Sequence, residues 1–363
     1  MKLLSLGFFL IVPLAYGAPT LQKSTTVKDY WVKTLLHGVA AGAWPDNPVK
    51  LADGRIFFHD GQVEQVTSEK AVATLHYDQS TCPDMNGSFA LSATSDQKLV
   101  VGFNPVSIKD NESKPVLGLI DPDTGHCQVL TKTPEGSYLV LAITVDRHDT
   151  IYYAAASNAL KGVGFYKFPK GASPVLLFTV PKNIPDDIAV DSKGNLYASW
   201  YSIDGHLYHN QITVWKPSTK KLSVYAGIGL SGKSPNGTLA TQAALGDLYG
   251  IAIDSKDNLY IAQEDNPNRI SMVDAESGRI YHFAGNGLNL FISTISLSLH
   301  TGLCPRGITV TPQGNLIYTD IRSYEGLFSD VRMIEMSASD FSSRIHTAIP
   351  DDISSETRDN NRL

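Results

Sequence analysis

The chain has 363 residues with 42% hydrophobic content, enough to build a substantial core, and this excludes a disordered chain. Its formal net charge of -6, with 18% charged residues, offers no basic excess to hold a phosphate backbone, so nucleic acid is excluded as the expected partner. The 29 glycines and 19 prolines gather with Asn and Asp between short apolar runs, the composition of a turn-rich all-β protein.

In chain order, the first element is an export signal over residues 1–17. Lys2 supplies the positive start, "LLSLGFFLIVPLA" is a short apolar run interrupted by Pro13, and "AYGA" offers small residues for cleavage near Gly17. The run is shorter than a membrane span needs and no second one follows, so the expected product is a soluble, secreted or periplasmic monomer. Beyond it, one pattern recurs: an apolar triplet, a polar turn closing in Gly or Asp, then a polar residue and an apolar pair. The copies are "PVKLADGRIF", "LSATSDQKLV", "ITVDRHDTIY", "IAVDSKGNLY", "IAIDSKDNLY" and "ITVTPQGNLI". Their turns open at Leu51, Thr94, Asp146, Asp191, Asp254 and Thr311, spaced 43 to 63 residues apart, which is the size of a four-stranded unit plus a loop.

The first strand of each copy is apolar on both faces, as suits the innermost strand of a radial blade, and later strands alternate. The expected fold is an all-β, six-bladed β-propeller of four-stranded antiparallel blades over residues 18–350. Its blades fall near 45–80, 88–133, 140–181, 185–229, 248–287 and 305–350, followed by a polar, mobile tail at 351–363. Either "DYWVKTLLHG" (29–38) or "SRIHTAI" (343–349) completes the last blade. In the turns, Asp191 or Asp254 accepts backbone N–H groups two or three residues on, and Gly194 or Asp257 takes the positive φ.

Residues 224–287 contain "VYAGIGLSGKSPNGTLATQAALGDLYGIAIDSKDNLYIAQEDNPNRI" and close in "FAGNG". This stretch resembles the NHL-repeat family, with Asp257 in place of the turn glycine. The resemblance implies a six-bladed propeller that serves as a binding platform for a ligand or protein. "IPDDIAVDSKGNLYASW" is similar to a blade of the SMP-30/gluconolactonase family. That likeness implies a metal-dependent hydrolase, a lactonase, holding a divalent cation such as Ca or Zn with Asp186 as one ligand. Asp46 stands where that family has Glu, and Val140 or Leu141 where it has Asn.

Ligands of propellers gather over the central channel. Two positions before each innermost triplet stand Asp46, Phe89, Leu141, Asp186, Tyr249 and Arg306, a mixed wall suited to a small polar ligand. Asp46 and Asp186 belong to opposite blades and are the pair for a cation or for proton transfer, with Asp187 and Asp247 in reserve; alternatively Arg306 pairs with Asp46 and Asp186 caps a loop. Of Cys82, Cys127 and Cys304, the first two are placed for a disulfide, the alternative being three buried thiols. "GIGLSGKS" has the spacing of a phosphate-binding loop, but Pro235 and Asn236-Gly237 follow where a helix is required. The apolar loop at 288–297 either folds onto a blade edge or presents a patch to a protein partner.

Overall fold

In five of the six copies of the repeated turn, the residue that opens it caps its own hairpin with its side chain; the first, opened by Leu51, closes through backbone bonds to Gly54 and Arg55. At Asp254 one carboxylate oxygen accepts the N–H groups of Lys256 and Asn258, both at 2.9 Å. The other accepts from the Asn258 amide at 3.0 Å and the Tyr260 hydroxyl at 3.2 Å. Asp191 makes the equivalent bonds, Asp146 caps through His148 and Thr150, and the Thr94 and Thr311 hydroxyls accept from Lys98 and Asn315. The residue three places further on has positive φ in all six turns: Gly54, Gln97, Asp149, Gly194, Asp257 and Gly314, from 58° to 100°.

Where that residue carries a side chain, it reaches back to the preceding blade. Gln97 accepts the Asp53 N–H at 2.9 Å. Asp149 takes both the N–H and hydroxyl of Ser95 at 2.7 Å, and Asp257 takes those of Ser192 at 2.8 and 2.7 Å. A left-handed backbone disfavours a side chain by a modest amount; at Asp149 and Asp257 two charge-assisted hydrogen bonds offset it, and at Gln97 one neutral bond does so in part.

These hairpins belong to a computed structural model that describes residues 30–39, 46–83, 90–104, 114–200, 208–264, 267–288, 295–322 and 328–336. The architecture is a six-bladed β-propeller of antiparallel sheets. The innermost strands are Asp46–Lys50, Leu91–Ala93, Ser137–Val145, Pro185–Val190, Asp247–Ile253 and Pro305–Val310. Each lies at the edge of its own sheet and touches the next around the ring, the last returning to the first. Six hydrophobic clusters fill the six seams between neighbouring blades. Among the described residues, the seam between blades six and one is the thinnest, with Leu36, Ile56, Phe58, Ile317 and Val331 buried in it.

Closure falls to the strand Trp31–Val39, which pairs antiparallel with Phe328–Glu335 and serves as the fourth strand of blade six. The competing segment at 343–349 and the tail at 351–363 lie outside the described residues, as does the export signal. Among the described residues, no helix is long and apolar enough to cross a membrane.

The connections from blade four to five and from five to six share a design. Gly227, Ile228 and Leu245 donate their N–H groups to Ala240, Ala243 and Leu230; Gly285, Asn286 and Leu303 donate to Ser298, Thr301 and Leu288, each 58 residues later. Each connection also lays a short strand, Thr238–Leu239 or Ile295–Leu297, on the outer edge of the blade it leads to. The apolar loop after Gly287 is thus partly spent on an edge: Leu303 is buried while Leu288 is 53% exposed. No helix begins at Lys233, so the phosphate-loop spacing at 227–234 belongs to a connection between blades. Cys82 and Cys127 form a disulfide with Cα atoms 5.9 Å apart, tying blade two to the segment leaving blade one, and Cys304 is buried as a thiol.

Asp254→Ala strips the cap from a buried turn and should lower the unfolding free energy by roughly 3 kcal/mol. Asp257→Gly removes only the inter-blade clip while relieving a positive φ, and should change it by less than about 1 kcal/mol. Urea denaturation of both variants distinguishes the two roles, and equal losses would contradict the assignment.

Candidate functional site at the channel rim

Antiparallel hairpins put the start of each first strand beside the end of the second, so both contribute side chains to the same rim of the channel. Asp46 opens its strand and faces His59 across the register, and Asp247 similarly faces Glu264. From blade six, Arg306 donates Nε to both oxygens of Asp46 at 3.2 and 3.1 Å. Its guanidinium carbon lies 4.7 Å from the centroid of the Tyr249 ring, a cation–π contact. One side chain therefore joins blades five, six and one. The pair is partly open to solvent, at 17% exposure for Arg306 and 30% for Asp46.

The charges around Arg306 are unbalanced. Burial pushes the Asp186 carboxyl well above the usual range, and the negative charge of Asp46 pushes it further, against the pull of Arg306. Asp46 is itself raised by burial, with Arg306 opposing. The Tyr249 phenol is raised by burial and by the negative charge of Glu264, against the pull of Arg306. His59 adds no compensating charge, because burial lowers it to about 4 and leaves the imidazole neutral. Around one guanidinium stand three carboxyl groups, those of Asp46, Asp186 and Glu264.

Asp187 has a different task. Its carboxylate accepts the N–H of Ile188 at 2.8 Å and that of Ile251 in blade five at 3.0 Å. Burial is the stronger influence and lifts it to about 7. The Asp187 N–H donates to Ser199 Oγ at 3.1 Å, and the Ser199 hydroxyl donates to the Tyr249 carbonyl at 2.6 Å, so the pair fixes the backbone that carries Tyr249.

Of the residues expected from sequence, Asp46, Asp186, Tyr249 and Arg306 meet at this rim. Leu141 is half-buried and packs on the seam between blades three and four. Phe89 lies outside the described residues. Asp187 is committed to backbone groups and Asp247 sits opposite Glu264. Sequence reasoning missed Glu264, His59 and Ser199. The signal was available, since each ends or nearly ends a second strand and must return to the rim.

A hard divalent cation takes six to eight oxygens. Here both Asp46 oxygens face Arg306 and both Asp187 oxygens take backbone N–H groups, which leaves Asp186 and Glu264 as the carboxyl donors at the rim, too few for such an ion. In this arrangement the donor set does not fit such an ion, and no cluster of three or more His, Cys, Asp or Glu suited to a metal occurs among the described residues. Below the rim, the innermost strands enclose a channel of about 710 Å³.

Fold and rim together define a six-bladed β-propeller with a polar, acid-rich cluster over its central channel. No family model matches the chain, and no curated protein matches it. Among solved structures, it is similar to a protein of unknown function from Bacteroides thetaiotaomicron, with TM-score 0.60, 14% identity, and 84% of this chain and 76% of that one covered. It is similar to an auxiliary nutrient binding protein from Bacteroides ovatus, with TM-score 0.58, 13% identity and coverages of 85% and 77%. A gluconolactonase from Xanthomonas campestris matches with TM-score 0.51, 12% identity and coverages of 86% and 99%. At these identities the likeness is one of fold.

The raised Asp186 carboxyl implies a pH dependence of stability. A group whose folded pKa exceeds its unfolded value stabilises below the unfolded pKa, near 3.8, and that contribution is lost as pH rises through the folded pKa. Asp186→Asn has no such loss. The variant's melting temperature relative to wild type should therefore increase from pH 4 toward pH 8; a gap that is constant across that range would contradict the assignment.

Proposed function

We propose that the protein is an exported NHL-type propeller that acts as a binding platform, its site being the rim where Asp46, Asp186, Glu264, Tyr249 and Arg306 converge. The observation that carries this reading is the half-buried excess of carboxyl groups around one guanidinium, beside an aromatic face. Such a wall favours a small polar ligand rich in hydrogen-bond donors, cationic or polyhydroxylated, over an anion. The NHL assignment is supported by the shared connections that leave "AGIGL" and "AGNGL" at 226–230 and 284–288. Export to a secreted or periplasmic location is supported by the Cys82–Cys127 bridge, which an oxidising compartment preserves.

A second reading, a lactonase-type hydrolase, is favoured by one feature. Asp186 is a carboxyl biased toward its protonated form beside Asp46, as an acid–base pair requires. A cation would then have to displace Arg306 from Asp46.

Calorimetry with sugars, polyols, polyamines, calcium and zinc, on the wild type and on Asp186→Asn and Tyr249→Ala, separates the readings. The platform reading expects saturable binding of an organic ligand that both variants weaken by about tenfold or more. One-to-one metal binding lost in Asp186→Asn, with hydrolysis of lactones, would replace it with the enzyme. Organic binding that survives both substitutions would move the site away from the rim.

A further inference from the structure

The opposite end of the channel is lined by three cations, Lys50, Arg147 and Lys256, against two carboxyl groups, Asp146 and Asp187. The last residue of each innermost strand lines the channel, and these six residues are Lys50, Ala93, Val145, Val190, Ile253 and Val310. All six are half-buried, and five are apolar. Lys50 alone places an ammonium in this collar. Among the described residues it has no carboxylate partner.

Two further cations line the same end, Arg147 from blade three and Lys256 from blade five, so blades one, three and five each contribute one. Arg147 directs its Nε to the His148 ring at 3.2 Å, and among the described residues no carboxylate is bonded to it. The neighbouring acid, Asp146, is taken up by the His148 and Thr150 N–H groups of its own turn. An uncompensated ammonium among apolar neighbours costs free energy. A methionine there would match the other five collar positions without that cost, and an anion would remove the cost by pairing.

We propose that the turn-side end of the channel binds a small organic anion, a carboxylate or a phosphate ester, with its charged head on Lys50 between Arg147 and Lys256. Its apolar body lies along the collar of Val145, Val190, Ile253 and Val310. Orientation follows from the two ends: the carboxyl groups at the far rim repel an anionic head, so it seats at the turn side. This site is separate from the rim and does not depend on the function proposed there.

The test is calorimetry with octanoate and with inorganic phosphate on the wild type, Lys50→Met, Arg147→Gln and Asp186→Asn. Octanoate should bind saturably, and Lys50→Met should weaken it by about tenfold or more. Arg147→Gln should weaken it severalfold, and Asp186→Asn, which removes a carboxyl group from the far rim, should not weaken it. Stronger binding of phosphate than of octanoate would assign the head as phosphate; the reverse would assign it as carboxylate with a buried body. Lys50→Met should also melt at or above the wild-type temperature. The proposal is overturned if neither probe binds, if Lys50→Met binds as tightly as the wild type, or if that variant is markedly less stable, since the lysine would then be structural.

Discussion

The antiparallel pairing of Trp31–Val39 with Phe328–Glu335 closes the ring, and the rim site exists because of it. Asp46 begins blade one and Arg306 begins blade six, 260 residues away, so nothing local brings them together. Among the described residues their seam has the smallest apolar core of the six, with five buried residues. Main-chain hydrogen bonds of the closing strand therefore hold blade six where hydrophobic burial alone is least able to. The guanidinium then spans from Asp46 to the Tyr249 ring and couples three blades at the mouth. A site assembled this way is as well ordered as the closure beneath it.

The two ends of the channel divide the electrostatics between them. At the rim, acid groups outnumber one arginine, and burial rather than mutual repulsion is the larger cause of their raised pKa values. Low dielectric magnifies each charge, so a single guanidinium there matters more than the chain's modest net charge suggests. At the turns, carboxylates are held internally in caps and clips, and among the described residues Lys50 and Arg147 have no carboxylate bonded to them.

Much of this was legible before any coordinates. The six-copy turn pattern depends on side-chain caps, which are local and leave Asp, Thr or Gly at fixed positions, so blade number and inner strands could be read from residues 48–317. The rim residues were readable for the same reason, because counting back from the turn locates Asp46, Asp186, Tyr249 and Arg306. Other features were not local. Choosing between 29–38 and 343–349 for closure requires a pairing between distant segments, and both have suitable alternation. Glu264 escaped because attention fell on strand starts alone. The matched connections at 227–245 and 285–303 escaped because they share backbone hydrogen bonds while "LATQAAL" and "LSLHTGL" share little beyond their leucines. Asp187, adjacent to Asp186, serves a backbone clip that adjacency cannot reveal.

The closing strand carries a temporal consequence. A chain made from its N-terminus produces Trp31–Val39 before any of the blades, yet its partner arrives some 300 residues later. Until then the strand has an unsatisfied edge, and the innermost strand of blade one lacks its neighbour on one side. Local hairpins, capped by their own aspartates, can form as they appear, but the ring can be tested for fit only once the sixth blade is complete. The propeller is thus assembled blade by blade and validated in a single late step, and the two halves of its rim first meet in that step.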